Sequence, residues 1–136
     1  MDARAPRELA DAAPALRALV AAAGPLSNLL MAYLASFPLR LGLISTNFMT
    51  YFTMVFIQLN LLLMIFNLLP LAPLDGYQVT VGLLPREWAI SIARFERQGP
   101  LLLMLLIVAG SMFHFDLLGM IISPPFRLLV NLLLPT

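Results

Sequence analysis

The sequence predicts an all-α membrane protein with about three transmembrane helices, the second ending in a proline-broken loop, and a short C-terminal interfacial segment. Three observations predict this class: 61% of the 136 residues are hydrophobic, only 11% are charged, and the charges leave two long uncharged gaps. Soluble domains contain about 25% charged residues. We therefore expect a lipid bilayer, and not water, to be the main solvent of this chain.

The first predicted helix follows a charged N-terminal segment. Residues 1–16 mix five charged residues with alanine and proline and are predicted to lie at the surface. Arg17 and Arg40 then enclose 22 uncharged residues. Since about 20 apolar residues cross a bilayer as a helix, a span is predicted at about 18–39. Pro25 is expected either to bend this helix or to begin a new one.

One face of this first span is predicted to pack closely against another helix. Gly24, Asn28, Ala32 and Ser36 recur every four residues and therefore share a face. Small residues let helix backbones approach each other in lipid. The amide of Asn28 needs polar partners in such a setting.

The second predicted helix, at about 46–70, carries a polar stripe. Thr53, Asn60 and Asn67 are spaced by seven residues, which places them along one side of a helix. Hydrocarbon does not solvate amides, so this stripe is expected to face protein. The pattern is compatible both with hydrogen bonds between helices and with a functional site.

The second helix is predicted to break at its end. Pro70 and Pro73 lie within the segment Asn67 to Gly76 and cannot both occupy a regular helix interior. Irregular backbone at membrane depth requires burial in protein or a wet cavity. Asp75 at this break is either a turn and capping residue or a functional anion.

The third predicted helix, at about 100–122, is interrupted by His114 and Asp116. It either crosses the membrane fully or stops short at an interface, and the sequence favours a crossing. Pro124 and Pro125 are expected to end it, because proline lacks an N–H donor and clashes with the preceding turn. Residues 123–136 then form a C-terminal tail.

These three helices define a membrane core over residues 17–122 and imply its orientation. With three crossings, the N-terminus and the loop at 75–98 lie on the same side and carry six of the eight arginines. The positive-inside rule places that side in the cytoplasm.

Composition also excludes several functions. The net charge is +1 and lysine is absent, so no basic surface is available for nucleic acid. The absence of cysteine excludes thiolate catalysis and cysteine-ligated zinc.

Three motifs resemble those of the site-2 proteases, which are intramembrane zinc metalloproteases. Gly24 to Asn28 resembles the family's Gly-Pro-x-x-Asn motif, and Asn67 to Gly76 resembles its Asn-x-x-Pro-x-x-Pro-x-Asp-Gly motif. Phe95 to Pro100 resembles the junction that leads into the final span of short prokaryotic members. The resemblance covers about residues 18–122.

The resemblance implies a role for three side chains, and the polar stripe adds a fourth. Asp75 would be the third protein ligand of a catalytic zinc ion. Asn67 would act in catalysis by stabilising the oxyanion of the tetrahedral intermediate. Asn28 would lie near the substrate channel, and Asn60, on the same stripe as Asn67, is grouped with it as a substrate-binding or supporting residue. The resemblance further implies an integral, multi-pass protein of the prokaryotic inner (cytoplasmic) membrane.

The sequence departs from this family at one decisive point. Hydrolysis of this type requires H-E-x-x-H, and the single histidine, His114, has no glutamate at that spacing. In the family the H-E-x-x-H helix precedes the Gly-Pro-x-x-Asn span, so we expect the missing part to lie upstream of Met1. The isolated chain is expected neither to bind zinc tightly nor to cleave peptides.

Three hypotheses remain open at this stage. The chain is part of a zinc endopeptidase that cleaves transmembrane segments and is completed by a chain carrying H-E-x-x-H. Alternatively, it is a non-catalytic membrane module that binds transmembrane substrate helices or serves as a scaffold. In the third hypothesis, it is a structural membrane protein in the lipid bilayer whose asparagines and aspartates merely bridge helices.

Overall fold

The computed structural model describes residues 5–114 and 116–134, and regular secondary structure within these ranges is entirely helical. Six α-helices and one 3-10 turn follow each other in the order α1 Ala5–Arg40, α2 Asn47–Asn67, α3 Asp75–Leu83, α4 Arg86–Ala93, the 3-10 turn Glu96–Gln98, α5 Gly99–Phe113 and α6 Leu117–Leu133. Two stretches, Ala12–Arg40 and Asn47–Asn67, are long and apolar enough to cross a membrane. The all-helical membrane class is thus confirmed.

Helix α1 is one continuous helix through three prolines, at positions 14, 25 and 38. Of the two alternatives predicted at Pro25, the start of a new helix is therefore wrong. Pro25 is fully buried, so its ring packs against neighbouring side chains. Contacts of this kind allow membrane helices to accommodate a proline that would break a helix in water.

The core lies between α1, α2 and the end of α6. Ala32 of α1 packs with Ile57 and Leu61 of α2 and with Leu133 of α6. Ser36, one turn after Ala32, is also buried. The small-residue face of the first span is thus confirmed at these two positions, where a larger side chain would hold α2 away.

The predicted break after the second helix is also present. Helix α2 ends at Asn67, three residues before the predicted end, and α3 begins at Asp75. The intervening segment 68–74, named the break loop below, contains both prolines.

The third predicted helix differs most from the structure. Helix α5 ends at Phe113, His114 adopts a left-handed conformation with φ of 53°, and α6 starts again at Leu117. The two arms meet at a bend of 97° and amount to one span only if they are counted together. The prediction of one continuous helix at 100–122 is therefore wrong.

A helix cap explains the new start of α6. Asp116 is the N-cap residue, and its Oδ1 accepts a hydrogen bond of 2.8 Å from the backbone N–H of Gly119. This bond satisfies an amide that has no partner within the helix. Pro124 and Pro125 lie inside α6, so the prediction that they end a helix is wrong as well. The predicted boundaries at residues 16 and 122 consequently fall within α1 and α6.

The far end of α6 is attached to α1 by one arginine. Arg40 Nε donates a hydrogen bond of 3.0 Å to the carbonyl oxygen of Leu133, and a second guanidinium nitrogen contacts the carbonyl of Leu132. These are carbonyls of the last turn, where a cation is favourable. The C-terminal ends of α1 and α6 therefore lie together.

Helix α3 runs antiparallel to the N-terminal half of α1. Asp75 at its start lies against Gly24, and Gly82 near its end lies against Ala18 and the carbonyl of Pro14.

Candidate functional site

The site is built around the carboxylate of Asp75, the first residue of α3. A Cβ atom placed on Gly24 would lie only 2.9 Å from Asp75 Oδ2. Glycine at position 24 therefore leaves the room that this carboxylate occupies. Two motifs that are distant in the sequence thus meet at one point, and each supplies one of the two contacting residues.

Two further glycines let the break loop fold against its neighbours. A Cβ on Gly76 would overlap the carbonyl groups of Leu68 and Leu69, and a Cβ on Gly99 would overlap the carbonyl of Ala72. The starts of α3 and α5 are both packed directly against the break loop as a result. The orientation of Asp75 depends on this close backbone packing.

Asp75 lines an open groove of about 580 Å³ between α1 and α3. Gln78, one turn after Asp75, lies on the same side of α3, and α1 contributes Leu16, Arg17, Val20 and Ala21. The carboxylate is half-buried. Its position in the first turn of α3 is electrostatically favourable, because the N-terminus of a helix attracts negative charge.

The three asparagines occupy different surroundings. Asn67 is the last residue of α2 and directly precedes the break loop, and Asn28 lies one turn after Gly24 on α1; both are half-buried. Asn60 is 7% exposed, and its Nδ2 donates a hydrogen bond of 2.8 Å to the carbonyl of Phe56 in its own helix. Asn28 is therefore close in sequence to Gly24, and Asn67 is close in sequence to Asp75. Asn60 instead belongs to the core between α1 and α2.

The described residues do not form a complete metal site. Among residues 5–114 and 116–134, no group of three or more histidine, cysteine, aspartate or glutamate side chains could hold a metal ion. His114 lies at the end of α5 and is exposed. A catalytic zinc ion needs three protein ligands. The donor set around Asp75, a single carboxylate, does not fit zinc by itself.

One contact near the site was not predicted. Tyr77, which is 5% exposed, donates a hydrogen bond of 3.3 Å from its hydroxyl to Glu96 Oε2 in the 3-10 turn. Burial raises the pKa of the Tyr77 phenol, and the neighbouring Glu96 carboxylate raises it further. The phenol therefore stays protonated at neutral pH and remains a donor. The sequence contained a signal for this contact, because Glu96 lies in the junction motif before the third span.

The contact between Gly24 and Asp75 can be tested by disulfide formation. The chain contains no cysteine, so Gly24→Cys combined with Asp75→Cys introduces an isolated pair. A Cβ at Gly24 would lie 3.8 Å from Asp75 Cγ, the atom that a cysteine sulfur replaces. We expect the pair to form a disulfide under mild oxidation, measured as loss of free thiols. Gly24→Cys combined with Asp116→Cys is the control, and equal yields in the two variants would contradict the contact.

Comparison with known proteins gives one relative. No protein-family model and no solved structure matches the sequence. The chain is 38% identical, over 99 residues, to a protein of Bacillus subtilis (strain 168) named "Putative zinc metalloprotease YwhC". The chain is thus similar to a metalloprotease. The match covers 66% of this chain but only 45% of the length of the relative.

Proposed function

We propose that this chain is one part of a membrane zinc metalloprotease of the site-2 type, and that Asp75 is the ligand it supplies. The observation that carries the proposal is the placement of the Asp75 carboxylate against Gly24, at the edge of an open groove. Asp75 directly follows the break loop, which connects α2 to α3. The similarity to a protein named as a zinc metalloprotease supports it. The remaining ligands, and the glutamate that activates water, would come from an H-E-x-x-H segment or from a second chain.

The chain's own residues would act on the substrate in three ways. Asp75 would offer its oxygens to the metal, since carboxylate is a normal zinc donor. Asn67 would donate its amide N–H to the substrate carbonyl as negative charge develops there. The break loop would pair with an unwound stretch of a transmembrane substrate, because a peptide bond within a helix does not present its carbonyl carbon. The bound zinc ion would supply Lewis-acid polarisation and a water of lowered pKa.

A second candidate is favoured by the incomplete donor set. The groove provides one carboxylate, that of Asp75, and the described residues contain no group of three metal-binding side chains. A chain that keeps the groove and the polar stripe, but lacks the metal, could bind transmembrane helices without cleaving them. Such a non-catalytic module would capture a substrate helix and yield no product.

Zinc content distinguishes the two candidates. The full chain is reconstituted in lipid with a membrane polypeptide that carries H-E-x-x-H, and the zinc bound per complex is measured after dialysis. We expect the complex to hold one zinc ion and Asp75→Ala to lose it, because removal of one of three ligands leaves an incomplete site. Asp116→Ala is the matched control, since Asp116 also lies at the start of a helix. Equal zinc content in the Asp75→Ala complex would contradict the assignment of the ligand.

A further inference from the structure

The segment from α4 to the 3-10 turn, residues 86–97, combines exposed rings with exposed charges. Helix α4 has no buried residue. Trp88 in α4 and Phe95 just after it are each 66% exposed. The same twelve residues carry five exposed charged side chains: Arg86, Glu87, Arg94, Glu96 and Arg97.

Only one environment suits both kinds of side chain. Water disfavours the exposure of two large aromatic rings, and the hydrocarbon core disfavours arginine and glutamate. The membrane interface accepts both, because indole rings concentrate at the level of the lipid headgroups and arginine extends its charge towards water.

The packing of α3 places this segment at the required depth. Gly82, near the end of α3, lies against Ala18, which follows Arg17 at the edge of the uncharged stretch of α1. Arg86 lines a second groove, separate from that of Asp75, together with Pro14 and Ala15 of α1. The segment then returns along α3, which has nine residues and is about 13 Å long. Its end, at Glu96, contacts Tyr77 near the start of α3, so residues 86–97 lie within about 13 Å of the level of Arg17.

The charges of the segment favour an anionic partner. The segment contains three arginines and two glutamates, so its net charge is positive. The Glu96 carboxylate accepts the hydroxyl hydrogen of Tyr77 and is thereby drawn towards α3. Arg94 and Arg97, on either side of Phe95, are exposed. Guanidinium groups pair well with phosphate oxygens.

We propose that residues 86–97 form an interfacial segment that binds the phosphate headgroups of anionic phospholipids through Arg86, Arg94 and Arg97. The rings of Trp88 and Phe95 lie among the headgroups. The segment is attached to the break loop at Gly99, so binding to the lipid surface holds the loop at a fixed depth.

The single tryptophan of the chain makes the depth measurable. The full chain is reconstituted in phosphatidylcholine vesicles whose acyl chains carry bromine either near the glycerol or near the methyl end. We expect Trp88 emission to be blue-shifted relative to free indole and quenched more by the shallow bromines. The control is Trp88→Phe combined with Leu105→Trp, which places the reporter in α5 and should be quenched more by the deep bromines. Emission typical of water without quenching by either lipid would overturn the proposal and indicate that the segment projects into solvent or binds a soluble partner.

The preference for anionic lipid is tested in the same system. Adding phosphatidylglycerol to the vesicles should increase the shallow quenching of Trp88 in the wild-type chain. The double variant Arg94→Gln and Arg97→Gln should lose that increase, whereas Arg127→Gln in α6 should keep it. Inorganic phosphate added to phosphatidylcholine vesicles should not reproduce the effect. An increase that survives the double variant, or that phosphate alone produces, would overturn the headgroup assignment.

Discussion

Replacing Asp75 by alanine is expected to abolish peptide cleavage by any complex in which this chain completes a zinc metalloprotease. Asp75 would help to hold a zinc ion, and a bound zinc ion would stabilise the charge of the transition state by several kcal/mol. Loss of that stabilisation corresponds to a decrease of more than about a thousandfold in kcat/KM. The measurement is the rate of cleavage of a transmembrane peptide in vesicles that contain the full chain and the H-E-x-x-H polypeptide.

Two variants separate the loss of a ligand from a general structural effect. Asp75→Asn keeps the size of the side chain but removes its charge and should also be inactive. Asp116→Ala removes an exposed helix cap in α6 at a cost of about 1 kcal/mol and should leave the cleavage rate nearly unchanged. Cleavage by Asp75→Ala at a rate close to that of the Asp116→Ala complex would exclude Asp75 as a metal ligand.

The spans that the sequence predicted correctly are those that its charges delimit. The gap between Arg17 and Arg40 lies within α1, and the gap from Arg40 to Asp75 contains α2 and the break loop. Charge placement predicts these elements because the cost of burying an arginine or aspartate in hydrocarbon exceeds most other local preferences. The break was predictable as well, since Pro70 and Pro73 each remove a helical hydrogen bond and crowd the preceding turn.

The third span shows where local rules failed. Pro124 and Pro125 were expected to end a helix, but the helix had already been restarted by the cap at Asp116, and α6 continues through both prolines. Leu133 at the other end of α6 is buried against the core, and Arg40 binds its last turn. These tertiary contacts favour the helix over the whole segment. They connect residues far apart in the sequence, and Arg40 and Leu133 are 93 positions apart.

The sequence predicted which residues belong to the candidate site, but not which of them contact each other. The motifs named Asp75 and Gly24 separately, and only the antiparallel packing of α3 on α1 shows that glycine 24 is the residue that makes room for the carboxylate. The roles of Arg17 and Gln78 in lining the groove depend on the same packing. A single sequence contains no direct signal for an approach of this kind between two helices.

Among glycine-to-alanine substitutions near the site, Gly76→Ala is expected to be the most destabilising. Its Cβ would overlap backbone atoms of Leu68 and Leu69, which cannot move aside as a flexible side chain can. We expect a decrease of about 3 kcal/mol or more in the free energy of unfolding, the upper range for overpacking. The measurement is unfolding by denaturant in mixed micelles, followed by loss of helical circular dichroism. The Gly24→Cys and Asp75→Cys disulfide should also form less readily in this background, because the start of α3 is displaced.

The control for this prediction is Gly42→Ala, which separates backbone strain from steric overlap. Gly42 has a φ of 65° and no atom within 4 Å of an added Cβ. Its substitution should therefore cost only the strain of a left-handed residue, about 1–2 kcal/mol. Gly76 presents the opposite case, in which no unusual φ is needed and the overlap alone opposes a side chain. If Gly76→Ala lowered the free energy of unfolding no more than Gly42→Ala, the break loop would not lie against α3 as described, and the orientation of Asp75 would lose its structural basis.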